Sequence, residues 1–379
     1  MRTKNKIAFL FIMAIAMISI TTSCKKDNTT GTPKVNYVRI TSPESSDSLL
    51  VGAHQGQLIA IIGENLQAAN QIWFNDQKAS LTSTYITSTS ILVSVPSPIP
   101  LSINNKLKIY FSNGDSLLYD FVVQISKPSV NNMLSEFVND GEVATIRGDF
   151  FYEPLTVKFE GGATAEIVSV TDKILQIRIP TGAQPGPITV TTNFGETESD
   201  FWFRDNRNIF ISSDPYEGWW NASYVVSNPG PSDPPKINGN YIRVHKAMGA
   251  WSWNEIAGGP ASAMPLQSKK VPDGAILKPA DYNLKFEVNT LKPYNASIIR
   301  INVGLNSEDN NAYQWLPPYD TKGQWQTVII PFEDVVASYA VKPVINPAGY
   351  WTRILMQGPG DLDADISFDN FRIVPKVNK

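Results

Sequence analysis

The chain has 379 residues, with 32 Lys and Arg against 35 Asp and Glu, for a formal charge of -3. That balance, with its cations scattered, excludes a basic face for nucleic acid, while 42% apolar and 18% charged residues suit globular domains. Two His and one Cys leave few nucleophiles or proton shuttles, and without disulfides each domain must be held by its own core.

At the N-terminus, Arg2, Lys4 and Lys6 precede an apolar run from Ile7 to Ile20. The run is shorter than the roughly 20 residues of a membrane span but suits the core of a signal peptide. It ends in Thr21-Thr22-Ser23-Cys24, which resembles the lipobox of bacterial lipoproteins. The resemblance implies that residues 1–23 are removed and that Cys24 is lipidated, anchoring the chain in the outer membrane, at the cell surface. Residues 24–34 then form a polar tether.

Next comes an internal repeat. Ile62-Gly63-Glu64-Asn65-Leu66 matches Arg147-Gly148-Asp149-Phe150-Phe151, and Ile72-Trp73-Phe74-Asn75 matches Val157-Lys158-Phe159-Glu160. Ile91 to Pro96 matches Ile174 to Pro180 with one extra residue, and the copies close around Phe121 and around Phe201-Trp202-Phe203. Each copy reads as short alternating strands broken by Gly, Asn, Asp and Pro, the pattern of an immunoglobulin-like sandwich. The shared motifs resemble the IPT/TIG family of Ig-like domains. The predicted domains are residues 35–125 and 126–205, and the resemblance implies that they are spacers.

Residues 206–379 form a third all-β unit. Its strand candidates are Tyr241–Val244, Tyr282–Val288, Ile298–Val303, Gln326–Pro331 and Ile366–Ile373. Longer strands in a larger domain predict a jelly-roll β-sandwich. The strings Gly323 to Phe332 and Ile366 to Val374 resemble the closing strands of carbohydrate-binding jelly rolls.

Aromatic residues crowd this third unit. Of 9 Trp and 14 Tyr in the chain, Trp219, Trp220, Trp251, Trp253, Trp315, Trp325 and Trp351 lie after residue 205, with nine of the Tyr. Many amphipathic rings with few catalytic groups suggest recognition by stacking. Trp325 is expected in the core. Trp251 and Trp253, two apart, share a face if they lie in a strand, and the core is the favoured face. Of the adjacent Trp219 and Trp220, one would point out of a strand, yet either could cap the sandwich. Trp315 and the Tyr350-Trp351 pair stand beside turn residues, where large rings serve contact more often than packing. Asn310, Asn311, Gln314, Arg353 and Gln357 are near enough in sequence to pair with sugar hydroxyls.

Enzymatic readings are weaker. His54 and His245 have no Cys or second His nearby. Asp361, Asp363, Asp365 and Asp369 could suggest a hydrolase, which needs two facing carboxylates, but one loop rarely supplies both sides of a bond. They read as a solvated acidic loop, with a structural Ca2+ site as the alternative. No cofactor or metal is called for.

A lipobox, tandem Ig-like domains and an aromatic-rich C-terminal β-domain together resemble the surface glycan-binding proteins B of Bacteroidetes polysaccharide-utilization loci. The resemblance implies non-catalytic capture of a β-linked polysaccharide, xyloglucan or a related glucan, for a SusC/SusD-like transport complex. It also implies a flat platform of Trp315, Tyr350 and Trp351, with Trp219 and Trp220 in reserve and Gln314 and Arg353 as polar partners. The rivals are an adhesin or scaffold that binds another protein, and a glycoside hydrolase.

Overall fold

A computed structural model describes residues 31–376, except 43, 45, 46 and 310. The signal-like segment, Cys24 and most of the tether lie outside the described residues. Among those described, no helix is long and apolar enough to cross a membrane. The fold is all-β apart from short helical turns. The chain divides into two compact units, residues up to Ile125 and Ser126–Lys379.

The first unit is an Ig-like sandwich. One sheet orders strands Lys34–Ile40, Leu58–Glu64 and Ser90–Ser94; the other orders Gln77–Lys78, Ala69–Phe74, Lys106–Phe111 and Ser116–Asp120. Between them lie Val38, Ile59, Ile61, Ile72, Phe74, Ile91 and Ile109, all fully buried. The repeat returns in the second unit. Ser129–Met133, Val143–Asp149, Ile174–Arg178 and Glu166–Val170 face a sheet of Leu155–Glu160, Gln184–Thr192 and Gly195–Glu198.

The motif glycines explain why the repeat is legible. A Cβ on Gly63 would lie 2.0 Å from the Lys34 carbonyl oxygen, and one on Gly148 would lie 1.9 Å from that of Ser129. Only glycine permits that approach, and the register of the first strand pair slips at the equivalent place in each copy. Two residues on, Asn65 and Phe150 both take a left-handed backbone. The same local constraint is met twice.

The C-terminal domain is a two-sheet antiparallel β-sandwich. Its larger sheet orders Val225–Val226, Tyr241–Met248, Leu362–Pro375, Tyr282–Thr290 and Gln326–Pro331, with Ile209–Ile211 also paired to Leu362–Pro375. The smaller orders Asn254–Gly259, Trp351–Met356, Ile299–Leu305 and Tyr313–Trp315. Phe286, Phe368 and Phe371 pack between them, the rings of Phe286 and Phe371 stacked at 4.8 Å. Every strand predicted from the sequence here lies in or overlaps an observed one.

The second Ig-like sandwich joins this domain through buried charge. Arg372 is fully buried and donates to Glu136 at 2.7 Å and to Glu287 at 2.8 and 3.0 Å. Lys285 completes the network with 2.6 Å to Glu136. The Thr327 hydroxyl donates to Glu287 at 2.9 Å and accepts from the Glu136 amide at 2.7 Å. Phe137, Ile237, Tyr241 and Trp325 form a small apolar cluster beside it, so Trp325 is buried at this join rather than between the two sheets. Its indole donates to the Pro235 carbonyl at 2.8 Å. Two anions and two cations balance, which lets the cluster tolerate exclusion from water.

The acidic segment differs from expectation. Asp363, Asp365 and Asp369 lie within the strand Leu362–Pro375, not in a solvated loop. Asp363 pairs with Lys292 at 2.6 Å and Asp365 is buried against Arg243 at 2.8 Å. Among the described residues, no group of three or more His, Cys, Asp or Glu is placed to hold a metal ion. Asp369 accepts one backbone hydrogen bond, from Asn370, and its Oδ2 has no partner among the described residues. Burial, then repulsion from Glu287, pushes its carboxyl well above the usual carboxylate range.

Two outcomes follow for stability. Arg372→Met strands Glu136 and Glu287 without their shared cation and is expected to cost about 3–5 kcal/mol. Urea denaturation should show the second sandwich and the C-terminal domain unfolding together in the native chain and in separate steps in the variant. For Asp369, the unfolded chain releases its proton near pH 4 while the folded chain retains it. Stability is therefore lost as pH rises from there toward the folded group's own raised pKa. Asp369→Asn should melt higher than the native chain at pH 7, with the difference vanishing near pH 3.

Candidate functional site

In the smaller sheet of the C-terminal domain, alternation sorts the side chains. Ile354 and Met356 face the core, as do Ile299, Ile301 and Val303. The opposite face carries Trp351, Arg353 and Leu355 from one strand and Arg300 and Asn302 from its neighbour. Two rows cross this outer face: Glu255, Leu355, Arg300 and Gln314 are register partners in turn, as are Gly258, Arg353 and Asn302.

Arg353 is the centre of the face. Its guanidinium lies 5.3 Å from the Trp220 ring and 5.4 Å from those of Trp253 and Trp351, within cation–π range of all three. It also pairs with Glu308, and its Nε lies 3.2 Å from Glu255. Trp253 Nε1 donates to Glu255 at 2.8 Å. Burial raises the Glu255 carboxyl, with the Trp253 hydrogen bond and the Arg353 charge opposing. Glu255 Oε2, Trp351 Nε1 and Arg353 Nε are buried without a hydrogen-bond partner among the described residues. Arg353 Nε already lies against the Glu255 carboxylate, so Glu255 Oε2 and Trp351 Nε1 are the buried polar atoms here without a nearby partner among the described residues.

Trp219 and Trp220 arrive from a preceding loop tied down at several points. The Trp219 amide donates to the Gly258 carbonyl at 2.9 Å, and Asn221 donates to the Glu255 carbonyl. Glu217 accepts from the Gln267 amide at 2.9 Å. Gly258 is required here: at φ 113 its Cβ would lie 2.3 Å from the Thr352 carbonyl oxygen. The loop brings Trp219, Trp220 and Trp351 together, each pair of centroids 5.8 Å apart at 76° to 88°. These rings form a three-sided corner rather than a flat surface. Trp219 is 61% exposed and Trp253 52%, whereas Trp351 beneath them is 6% exposed.

The structure thus groups Trp219, Trp220, Trp351 and Arg353, with Gln314 exposed farther along the same face. It does not bring Trp315 or Tyr350 there, which corrects that expectation. Trp315 alternates with Gln314 and turns to the core side, packed on Phe286, Tyr294 and Tyr319 at 5.0 to 5.4 Å. Tyr350 is 1% exposed and donates to Asp273 at 2.5 Å. Adjacent residues entering a strand point to opposite faces, so Tyr350 and Trp351 cannot share one platform. Trp251 and Trp253 are exposed rather than core, because they occupy the turn before Asn254–Gly259 and its first flank. Glu255, Glu308 and Arg300 were not singled out from the sequence, where they are isolated charges. Asn310 lies outside the described residues.

Residues 203–375 match the family model described as the surface glycan-binding protein B xyloglucan binding domain. The C-terminal domain is thus similar to the surface glycan-binding protein B family's xyloglucan-binding domain. An IPT/TIG domain-containing protein of Bacteroides ovatus is 21% identical over 483 aligned positions, covering 97% of this chain and 98% of the relative. The crystal structure of the surface glycan-binding protein PbSGBP-B from Prevotella bryantii is 25% identical, with a TM-score of 0.69 over 92% of this chain and 100% of that one.

Within this domain, the corner's two kinds of tryptophan should separate experimentally. Trp351→Ala empties a packed position and should cost about 3–5 kcal/mol in denaturant unfolding. Trp219→Ala loses two edge-to-face contacts at an exposed ring and should cost only about 1 kcal/mol.

Proposed function

We propose that the chain is a non-catalytic, lipid-anchored cell-surface protein that holds a β-linked glucan of the xyloglucan kind on the outer face of its C-terminal sandwich. One observation carries the reading: Arg353 gathers Trp253, Trp220 and Trp351 on one sheet face, with the Trp253 ring and the Trp219 ring packed on Trp220 both more than half exposed. A β-glucan presents apolar C–H faces and hydroxyl edges, and such rings beside hydrogen-bonding groups answer both. The family described for residues 203–375 supports the ligand class, and Cys24 after its apolar run supports the anchor.

Because Trp219 and Trp220 meet at 88°, the two rings cannot both lie flat against one face of the bound chain. Contacts of this kind give micromolar to millimolar affinity, about -8 to -4 kcal/mol. Weak holding suits transfer to a SusC/SusD-like transport complex. The carboxylates at the centre of the face, Glu255 and Glu308, are both engaged by Arg353, which supports binding without hydrolysis. The two Ig-like sandwiches serve as spacers.

Affinity electrophoresis in a xyloglucan gel tests this. The native chain should be retarded and release no reducing ends, and Trp219→Ala and Trp253→Ala should each migrate freely while still folded. Unchanged retardation in both variants would overturn the site. Reducing-end release abolished by Glu255→Gln would point to a hydrolase, and failure to bind any of a broad glycan panel to a protein-binding scaffold.

A further inference from the structure

The join between the second Ig-like sandwich and the C-terminal domain contains a cleft of about 490 Å³ that shares no residue with the tryptophan corner. That volume lies in the range that holds a small organic ligand, and domain joins are a common place for such clefts. The sandwich contributes Glu142 together with Thr145 and Gln176, which are register partners on neighbouring strands. The C-terminal domain contributes Gln324, in the turn before Gln326–Pro331. Phe137 and Trp325, both buried, supply apolar surface from the two sides. The two sides are held in a fixed relation. Glu136, next to Phe137 in the chain, is pinned by Arg372 at 2.7 Å and Lys285 at 2.6 Å, and the Thr327 amide donates to the Leu134 carbonyl at 2.9 Å. The cleft is therefore formed before any ligand arrives.

Its polar lining has hydrogen bonds to spare. Gln176 Oε1 accepts from the Ser169 hydroxyl at 2.8 Å, which leaves its Nε2 to donate. The Thr145 hydroxyl, the Gln324 side-chain amide and the Glu142 carboxylate have no hydrogen-bond or ion-pair partner among the described residues. Amides and hydroxyls both donate and accept, and so do the hydroxyls of a sugar. Charge narrows the ligand further. No Lys or Arg lines the cleft, so a bound anion would meet Glu142 with nothing to offset it. One exposed carboxylate, in turn, gains little from a cation in open solvent. A neutral, hydroxyl-rich ligand fits both conditions.

From this cleft, and taking the ligand class from the glycan-binding reading above, we infer a second, weaker site for a neutral oligosaccharide at the join of the two domains. Thr145, Gln176 and Gln324 bind its hydroxyls, and Glu142 accepts from one more. Trp325 offers an edge rather than an open face, since it is 7% exposed and its Nε1 is spent on the Pro235 carbonyl. The hold is therefore about tenfold weaker than at the corner, the equivalent of one stacked ring. Alone it does not retard the chain in a polysaccharide gel. Together with the corner it gives the protein two points of hold on a glycan.

Fluorine NMR of the protein labelled with fluorotryptophan, titrated with a short xyloglucan oligosaccharide, tests this. Single Trp→Phe variants assign the signals of Trp219, Trp253 and Trp325. The Trp219 and Trp253 signals should move first, and that of Trp325 at about tenfold higher oligosaccharide. In the Trp219→Ala/Trp253→Ala variant the Trp325 signal should still move, over the same concentrations. Gln324→Ala should raise the Trp325 midpoint about tenfold. Thr145→Tyr, which fills the cleft from an outward strand position, should abolish the response. Both should leave the corner signals unchanged, and thermal melting of each variant shows that it remains folded. A Trp325 signal that stays still in the native chain, or moves only while the corner is intact, would overturn the cleft and leave the corner standing. So would a response that is the same in the native chain, Gln324→Ala and Thr145→Tyr. Movement of Trp325 without movement at the corner would overturn the corner and keep the cleft. If no signal moves in the native chain, the glycan-binding reading falls and the cleft with it.

Discussion

Arg372, with no exposed surface and two carboxylates around it, is the constraint on which the second unit depends. It projects from the long strand Leu362–Pro375 and binds Glu136 of the preceding sandwich together with Glu287 of its own sheet. Buried charge is tolerated only where it is matched, and matching here requires both domains in one relative position. A purely apolar join could slide; this one has a single register. The outer face of the smaller sheet is thereby held in a fixed relation to the sandwich that precedes it.

A second buried arginine works differently. Arg353 is also nearly excluded from water, but it is surrounded by three indoles, with its Nε against the Glu255 carboxylate. Arg372 stabilises one arrangement of two domains, whereas Arg353 organises rings of which Trp253 is half exposed and Trp351 is buried. Both are paired with two carboxylates; the difference is that Arg372 joins two domains, whereas Arg353 also lies beside three indoles on one sheet face. Packing of this kind lets weak contacts be directional, because the rings are positioned before any ligand arrives.

Much of the architecture was legible in the chain. The repeat could be read because Gly63 and Gly148 meet equivalent backbone oxygens, those of Lys34 and Ser129, at 2.0 and 1.9 Å from a would-be Cβ, so the motif survives in both copies. The C-terminal strands could be read from period-two alternation. The composition of the site was partly legible too: Trp219, Trp220, Trp351, Arg353 and Gln314 do share a face. Trp315 and Tyr350 do not, since turn chemistry beside a ring says nothing about which side of the next strand it enters.

The sequence by itself determined the β class, the repeated sandwich and the concentration of rings in the last domain, because these depend on local periodicity and composition. Only the tertiary structure decided which rings are available. Facing is set by strand parity and by which loop folds over which sheet. Trp253 is exposed because its turn leaves the sheet, and Trp351 is covered because the loop of Trp219 closes on it. The meeting of Arg353 with Glu255 and Glu308, and of Arg372 with Glu136, joins residues far apart in the chain. Long-range pairing of isolated charges leaves no local pattern to read.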